Sequence, residues 1–74
     1  MKNEHGLECP LDWRPIGLNY QWLAVDADGE IWAYENKPKV LGNPRWQAVD
    51  FALHFLGYTT PPADFTQCLW KRPK

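Results

Sequence analysis

The sequence has no apolar run near the roughly 20 residues that a membrane-spanning helix needs. Its first residues, Met1-Lys2-Asn3-Glu4-His5-Gly6, contain no apolar stretch of the kind that directs export. These absences predict a soluble chain in the cytoplasm with no membrane partner. Cysteine and histidine are scarce, two of each. In a reducing compartment Cys9 and Cys68 are expected as free thiols, although a bridge between them would close a long loop and stabilise a small domain. An excess of one charge is missing too. The formal net charge is -1, so no global field favours nucleic acid or an anionic membrane.

Other absences bear on chemistry. There is no Gly-rich phosphate loop, no G-x-S-x-G and no H-E-x-x-H. Cys9 or Cys68 beside His54 is a nucleophile and base on paper only, because four such residues form pairs by chance. The plainer reading makes Cys68 a small buried hydrophobe and His54 a surface residue. His5, Cys9, His54 and Cys68 lack the close pairing of ligands that structural zinc sites use. The sequence therefore predicts no enzyme, no metal and no cofactor.

Tryptophan, by contrast, is abundant. Five occur in 74 residues: Trp13, Trp22, Trp32, Trp46 and Trp70. A single domain of this size, residues 1–74, buries only about 60% of the surface its unfolded chain exposes. Large aromatic side chains offset that thin margin. Local charge is uneven: Asp26, Asp28, Glu30 and Glu35 are acidic, Lys37, Lys39 and Arg45 follow, and Lys71, Arg72 and Lys74 form a basic tail that is expected to be solvated.

The plainest element is a β-hairpin over residues 20–35. Tyr20-Gln21-Trp22-Leu23-Ala24-Val25 and Ile31-Trp32-Ala33-Tyr34 are rich in strand formers. Asp26-Ala27-Asp28-Gly29-Glu30 between them fits a type I turn followed by a left-handed glycine, Gly29. That turn sets Val25 opposite Ile31, Ala24 opposite Trp32, Leu23 opposite Ala33 and Trp22 opposite Tyr34. Alternation then puts Leu23, Val25, Ile31 and Ala33 on an aliphatic face. Tyr20, Trp22, Ala24, Trp32 and Tyr34 fall on an aromatic one. The same acidic turn superficially resembles a calcium loop, but the further oxygen ligands and the terminal bidentate glutamate are missing.

Residues 44–56 are predicted to be a helix, with Asn43 as N-cap, Pro44 at its first position and Gly57 just beyond its end. Gln47, Asp50 and His54 form a narrow polar stripe. Trp46, Ala48, Val49, Phe51, Ala52, Leu53, Phe55 and Leu56 make the remainder apolar, with Val49, Ala52, Leu53 and Leu56 set against the sheet. Pro61-Pro62 turns the chain, and Phe65–Trp70 reads as a last strand. Before the hairpin, Pro10 and Pro15 exclude regular structure, yet Leu11, Trp13, Ile16 and Leu18 are apolar. Residues 9–19 are expected as an extended arm laid over the domain, after a loose tail of residues 1–8. The predicted fold class is α+β: a small antiparallel sheet, made of the hairpin and the C-terminal strand, packed on one helix.

One helix covers one face of a hairpin. The aromatic face is then either covered by Leu11, Trp13 and Ile16 of the arm or is a binding surface. The stretch Trp22–Pro38, with its D-x-D-G turn, aromatic strand and Glu-x-Lys-Pro ending, resembles small uncharacterised proteins encoded by bacteriophages and prophages. That resemblance implies an accessory protein that inhibits or redirects a host protein, a defence system among the candidates, by occluding a surface. It carries no site residues. Residue chemistry points to a protein partner met by Tyr20, Trp22, Trp32, Tyr34, Lys37 and Lys39, since tryptophan and tyrosine are enriched in interface hot spots. The alternative is a nucleic-acid module, with bases on Trp22, Trp32 and Tyr34 and phosphates on Lys37, Lys39 and Arg45.

Overall fold

The hairpin forms with the register the turn dictates. In the computed structural model, which describes residues 2–50 and 52–73, β1 (Trp22–Val25) pairs antiparallel with β2 (Glu30–Tyr34). Trp22 lies opposite Tyr34, Leu23 opposite Ala33, Ala24 opposite Trp32 and Val25 opposite Ile31. Gly29 has a φ of 91°, and its N–H donates to the Asp26 carbonyl at 2.9 Å. A side chain at this position would also run into the carbonyl oxygen of Thr59, whose own N–H donates to the Gly29 carbonyl. Turn geometry and close backbone approach therefore both require glycine.

No helix packs on this hairpin. The predicted α+β class gives way to an almost entirely β fold, in which the only helical turn among the described residues is a 3-10 turn at Phe65–Gln67. Residues 44–56 supply two strands instead of a helix. After β3 (Lys39–Val40), β4 (Trp46–Gln47) pairs back on it as a two-stranded ribbon. β5 (Leu53–Tyr58) then joins β2, and β6 (Leu69–Lys71) joins β1. The main sheet is antiparallel throughout, in the order β5-β2-β1-β6.

The physical reason is backbone pairing. A lone hairpin leaves a row of unpaired N–H and C=O groups on each outer edge, and β5 and β6 satisfy one row each. A continuous apolar run suits a buried strand as well as a buried helix. A helix apolar around most of its circumference needs cover on every side, which 74 residues cannot supply. The residues read as helix caps are turn formers too. Gly42, with a φ of 86°, Asn43 and Pro44 turn the chain between β3 and β4. Gly57, with a φ of 145°, follows a β-bulge: Phe55 lies opposite Trp32 and Gly57 opposite Ile31, leaving Leu56 as the extra residue. Val49, expected against the sheet, is exposed, while Ala52, Leu53 and Leu56 are half-buried. Asp50 and His54 are exposed, and Gln47 is half-buried. Phe51 and Lys74 lie outside the described residues.

The aliphatic face of the sheet is the core. Leu23, Val25, Ile31 and Ala33 pack with Cys68 and Trp70 of the C-terminal segment and with Trp13 and Ile16 of the arm. The arm thus covers this face, where the helix was expected. It is secured by Arg72, read from sequence as part of a solvated tail. Its guanidinium donates to the carbonyls of Trp13, Ile16, Gly17 and Tyr20 at 2.5–3.4 Å and lies 5.0 Å from the centre of the Trp13 ring. A fixed planar fork of donors suits such a ring of carbonyls better than an ammonium does. The segment expected to be loose is described from residue 2. It folds into a turn in which the Asn3 carboxamide oxygen accepts from the His5 and Leu7 N–H groups, while its nitrogen donates to the carbonyls of Gln67 and Leu69. Among the described residues no helix is long and apolar enough to cross a membrane.

Candidate functional site

Register orders the aromatic face into rows. Leu53, Tyr34, Trp22 and Lys71 lie side by side across β5, β2, β1 and β6. Phe55, Trp32, Ala24 and Leu69 form the next row, and Tyr58, Glu30 and Asp26 the third. The centre of this face is covered by residues 36–48. Trp46 bridges it: its N–H donates to the Asp26 carboxylate at 2.7 Å, its carbonyl accepts from the Tyr34 hydroxyl at 3.4 Å, and its indole N–H donates to the Phe65 carbonyl at 3.1 Å. Ala24 is fully buried beneath, and so is Tyr34, at 1% exposure. Burial, and after it the charges of Asp26 and Glu30, push the Tyr34 hydroxyl well above its usual range, so it stays a donor.

Cover stops short of both flanks. On the β5 side the rings of Trp32 and Phe55 meet edge to face with centroids 5.2 Å apart, and Phe55 meets Tyr58 in the same way, also at 5.2 Å. Phe55 is 39% exposed and Tyr58 is 72% exposed. These three rings make a continuous apolar strip from β2 onto the edge strand β5. On the β6 side the Trp22 ring has the Lys37 ammonium 5.6 Å and the Lys71 ammonium 5.7 Å from its centre, within cation–π range.

The six residues nominated from sequence therefore separate. Trp32 belongs to the β5 strip and Trp22 and Lys37 to the β6 flank, with Lys39 exposed at the start of β3. Tyr34 is buried and has no surface to offer a partner; it supports the face from beneath. Tyr20 is not on the aromatic face. β1 begins only at Trp22, so strand alternation does not reach residue 20, which sits in a turn closed by its N–H on the Gly17 carbonyl. Its ring packs at the margin of the core, 5.9 Å from the exposed His54. Phe55 and Tyr58 were not nominated, since Phe55 fell within the predicted helix 44–56 and Tyr58 just beyond it, before the Pro61-Pro62 turn. A strand reading of Leu53–Tyr58 aligned to β2 would have set Phe55 beside Trp32.

Arg45, a phosphate contact in the nucleic-acid reading, is occupied elsewhere. It reaches Asp28 at 3.4 Å and Glu30 at 3.1 Å. Asp26, Asp28 and Glu30 bring ligand atoms within 4.8 Å of one another. Asp26 accepts from the Trp46 N–H, Asp28 from the Glu30 N–H, and Arg45 neutralises the rim, so the cluster is accounted for as turn architecture. Burial raises the Asp26 carboxyl above its ordinary range, against the Trp46 hydrogen bond and the Arg45 charge.

A mostly apolar cleft of about 340 Å3 opens between the N-terminal segment and residues 59–64, with Cys68 and Trp70 in its wall. Burial raises both the Cys68 and the Cys9 thiol, and each donates to a backbone carbonyl, Asp64 and Leu11 respectively. Neither has the depressed pKa of a reactive thiolate. Comparison with protein-family models, curated proteins and solved structures found no match.

Proposed function

We propose that this chain is a small binding protein that covers a surface of a protein partner, and that the strip Trp32–Phe55–Tyr58 makes the contact. The observation that carries this reading is the pairing of three rings in edge-to-face contact with an edge strand. Phe55 and Tyr58 stand out of β5, which closes one side of the sheet and presents its outer row of backbone groups. Large rings bury much area with few rotors frozen, which is why they anchor interfaces. An edge strand adds main-chain hydrogen bonds for an extended segment of a partner. The resemblance of Trp22–Pro38 to phage and prophage proteins supports a host protein as that partner, inhibition as the effect and the bacterial cytoplasm as the setting.

The test is capture from bacterial lysate with quantitative mass spectrometry, comparing the unaltered chain with a Phe55→Ala, Tyr58→Ala double variant of matched thermal stability. Proteins retained by the former and lost by the latter are expected. Equal retention by both chains at all bands would remove the strip as the contact surface.

A further inference from the structure

We infer that the cleft around Trp22, on the opposite edge of the sheet from the aromatic strip, is a binding site for a phosphate-bearing anion. This cleft of about 380 Å3 is walled by Lys2, Lys37 and Lys71, with Trp22 and Leu69 as apolar surface and Glu4 as its one acid. Three ammonium groups and one carboxylate give the cleft a charge of +2 (3 − 1) in a chain whose net charge is -1. Glu4 is directed to His5, 3.5 Å away. Among the described residues no carboxylate pairs with Lys2, Lys37 or Lys71.

The exposed arginines of this molecule each meet a carboxylate. Arg14 pairs with Asp12, and Arg45 with Asp28 and Glu30. The lysines of the cleft have no such partner among the described residues, and they come from three separate parts of the chain: the N-terminal turn, the loop after β2, and β6. Two of them gather at one indole, 5.6 and 5.7 Å from its centre, and neither has a carboxylate counter-ion among the described residues. A dianionic phosphate cancels the cleft's charge, whereas a single carboxylate leaves half of it. The volume also exceeds what one inorganic ion fills and lies in the range of small-molecule sites. The indole supplies a face on which a planar group linked to the phosphate can rest.

This inference is independent of the protein-binding reading, since it uses neither Trp32, Phe55 nor Tyr58. The experiment is a titration of the full 15N-labelled chain, followed through its backbone amides and the indole N–H of Trp22, assigned by its disappearance in Trp22→Phe. Pyrophosphate, ADP and a single-stranded oligonucleotide are the three probes. Saturable movement of the Trp22 indole and of Lys37 and Lys71 by pyrophosphate is expected, weakening as salt rises. Lys37→Gln and Lys71→Gln should each weaken it roughly tenfold, as loss of one charge-assisted contact does, while Lys39→Gln leaves it unchanged. Tighter binding of ADP than of pyrophosphate identifies a nucleotide as the source; equal binding identifies the phosphate alone. No saturable shift with either, or equal weakening by Lys39→Gln, overturns the site. So does binding of the oligonucleotide alone, which would mark a nucleic-acid surface instead.

Discussion

The two faces of the sheet are closed by different means. On the aliphatic face the N-terminal arm inserts Trp13 and Ile16, and a single guanidinium locks the arm to β6 through four carbonyls. On the aromatic face residues 36–48 cover only the middle rows, held by the three hydrogen bonds of Trp46. The side chains of the first face are buried, with one cleft against residues 59–64, and the second leaves rings exposed on one flank and lysines on the other. A molecule this small has few side chains to spare, so where cover stops is informative. Both candidate binding surfaces lie on the half-covered face.

The largest loss of stability is expected from breaking the aliphatic face at Arg72. Among the described residues Arg72→Ala removes the donors that serve the carbonyls of Ile16 and Tyr20 and the cation over Trp13, while the Trp13 and Gly17 carbonyls keep the N–H groups of Ile16 and Tyr20. Unpaired, partly buried carbonyls cost about 1–3 kcal/mol each, so a loss of about 3–5 kcal/mol is expected. That approaches the whole stability of many small domains. Arg72→Lys should recover only part, because one ammonium cannot span four acceptors. Urea melts of the two variants measure this. A loss under about 1 kcal/mol for Arg72→Ala would mean the arm is held by its apolar side chains alone.

Gly29 sharpens the contrast at a single residue. If only the turn demanded glycine, Gly29→Asn would be tolerated, since asparagine enters the left-handed region at modest cost. The Thr59 carbonyl, however, occupies the place of any added Cβ. Gly29→Asn and Gly29→Ala should therefore both cost about 2–3 kcal/mol. Thermal melts that spare Gly29→Asn would show that residues 57–60 are not docked on the hairpin as described.

The hairpin was legible in the sequence because its determinants are local. Residues 26–30 fix the turn, the turn fixes the register, and the register sorts the faces. The last strand was legible in part, from Leu69 and Trp70, although Phe65–Gln67 forms a 3-10 turn. Residues 44–56 were not legible as strands. Their apolar run fits either periodicity, and Asn43, Pro44 and Gly57 serve as turn or bulge residues as readily as helix caps. Backbone edges left open by the hairpin decided the outcome, and those are visible only once the sheet exists. Arg72 was hidden for a related reason: its partners lie 52 to 59 residues away. Of the candidate surface, Trp22, Trp32 and Lys37 came from the hairpin and its loop. Phe55, Tyr58, Lys71 and Lys2 needed the tertiary arrangement.

A smaller effect is expected from acid and base at Asp26, which anchors the cover of the aromatic face. The residue is 2% exposed and its carboxyl pKa is raised chiefly by burial, with Asp28 and Glu30 adding to the rise while the Trp46 N–H and Arg45 oppose it. A carboxyl raised above its unfolded value of 3.8 contributes stability that is full below that pH and is lost as pH climbs through the folded value. Asp26→Asn keeps an acceptor for the Trp46 N–H but cannot ionise. The stability of the unaltered chain relative to Asp26→Asn should therefore fall as pH rises above the unfolded value of 3.8. A difference that is flat or rises with pH would show that the Arg45 charge outweighs desolvation.

The smallest effect on stability is expected on the exposed flank, at Tyr58. Its ring is 72% exposed and its known partners there are the Phe55 ring, edge to face, and the backbone ladder to Glu30. Tyr58→Ala leaves the ladder intact and removes one exposed aromatic contact, so the melt should shift by about 0.5 kcal/mol or less. Hot-spot rings behave the opposite way in binding, where truncation commonly costs about 2 kcal/mol or more. The discriminating quantity is thus the ratio of the two losses for one substitution. A ring that serves only the fold moves stability and leaves capture alone. A ring kept for a partner moves capture by roughly thirtyfold, the equivalent of about 2 kcal/mol, and leaves the melt almost where it was. If Tyr58→Ala lowers stability as far as Gly29→Ala does, the strip is part of the packed structure of the β5 edge, and the surface that meets a partner lies off it.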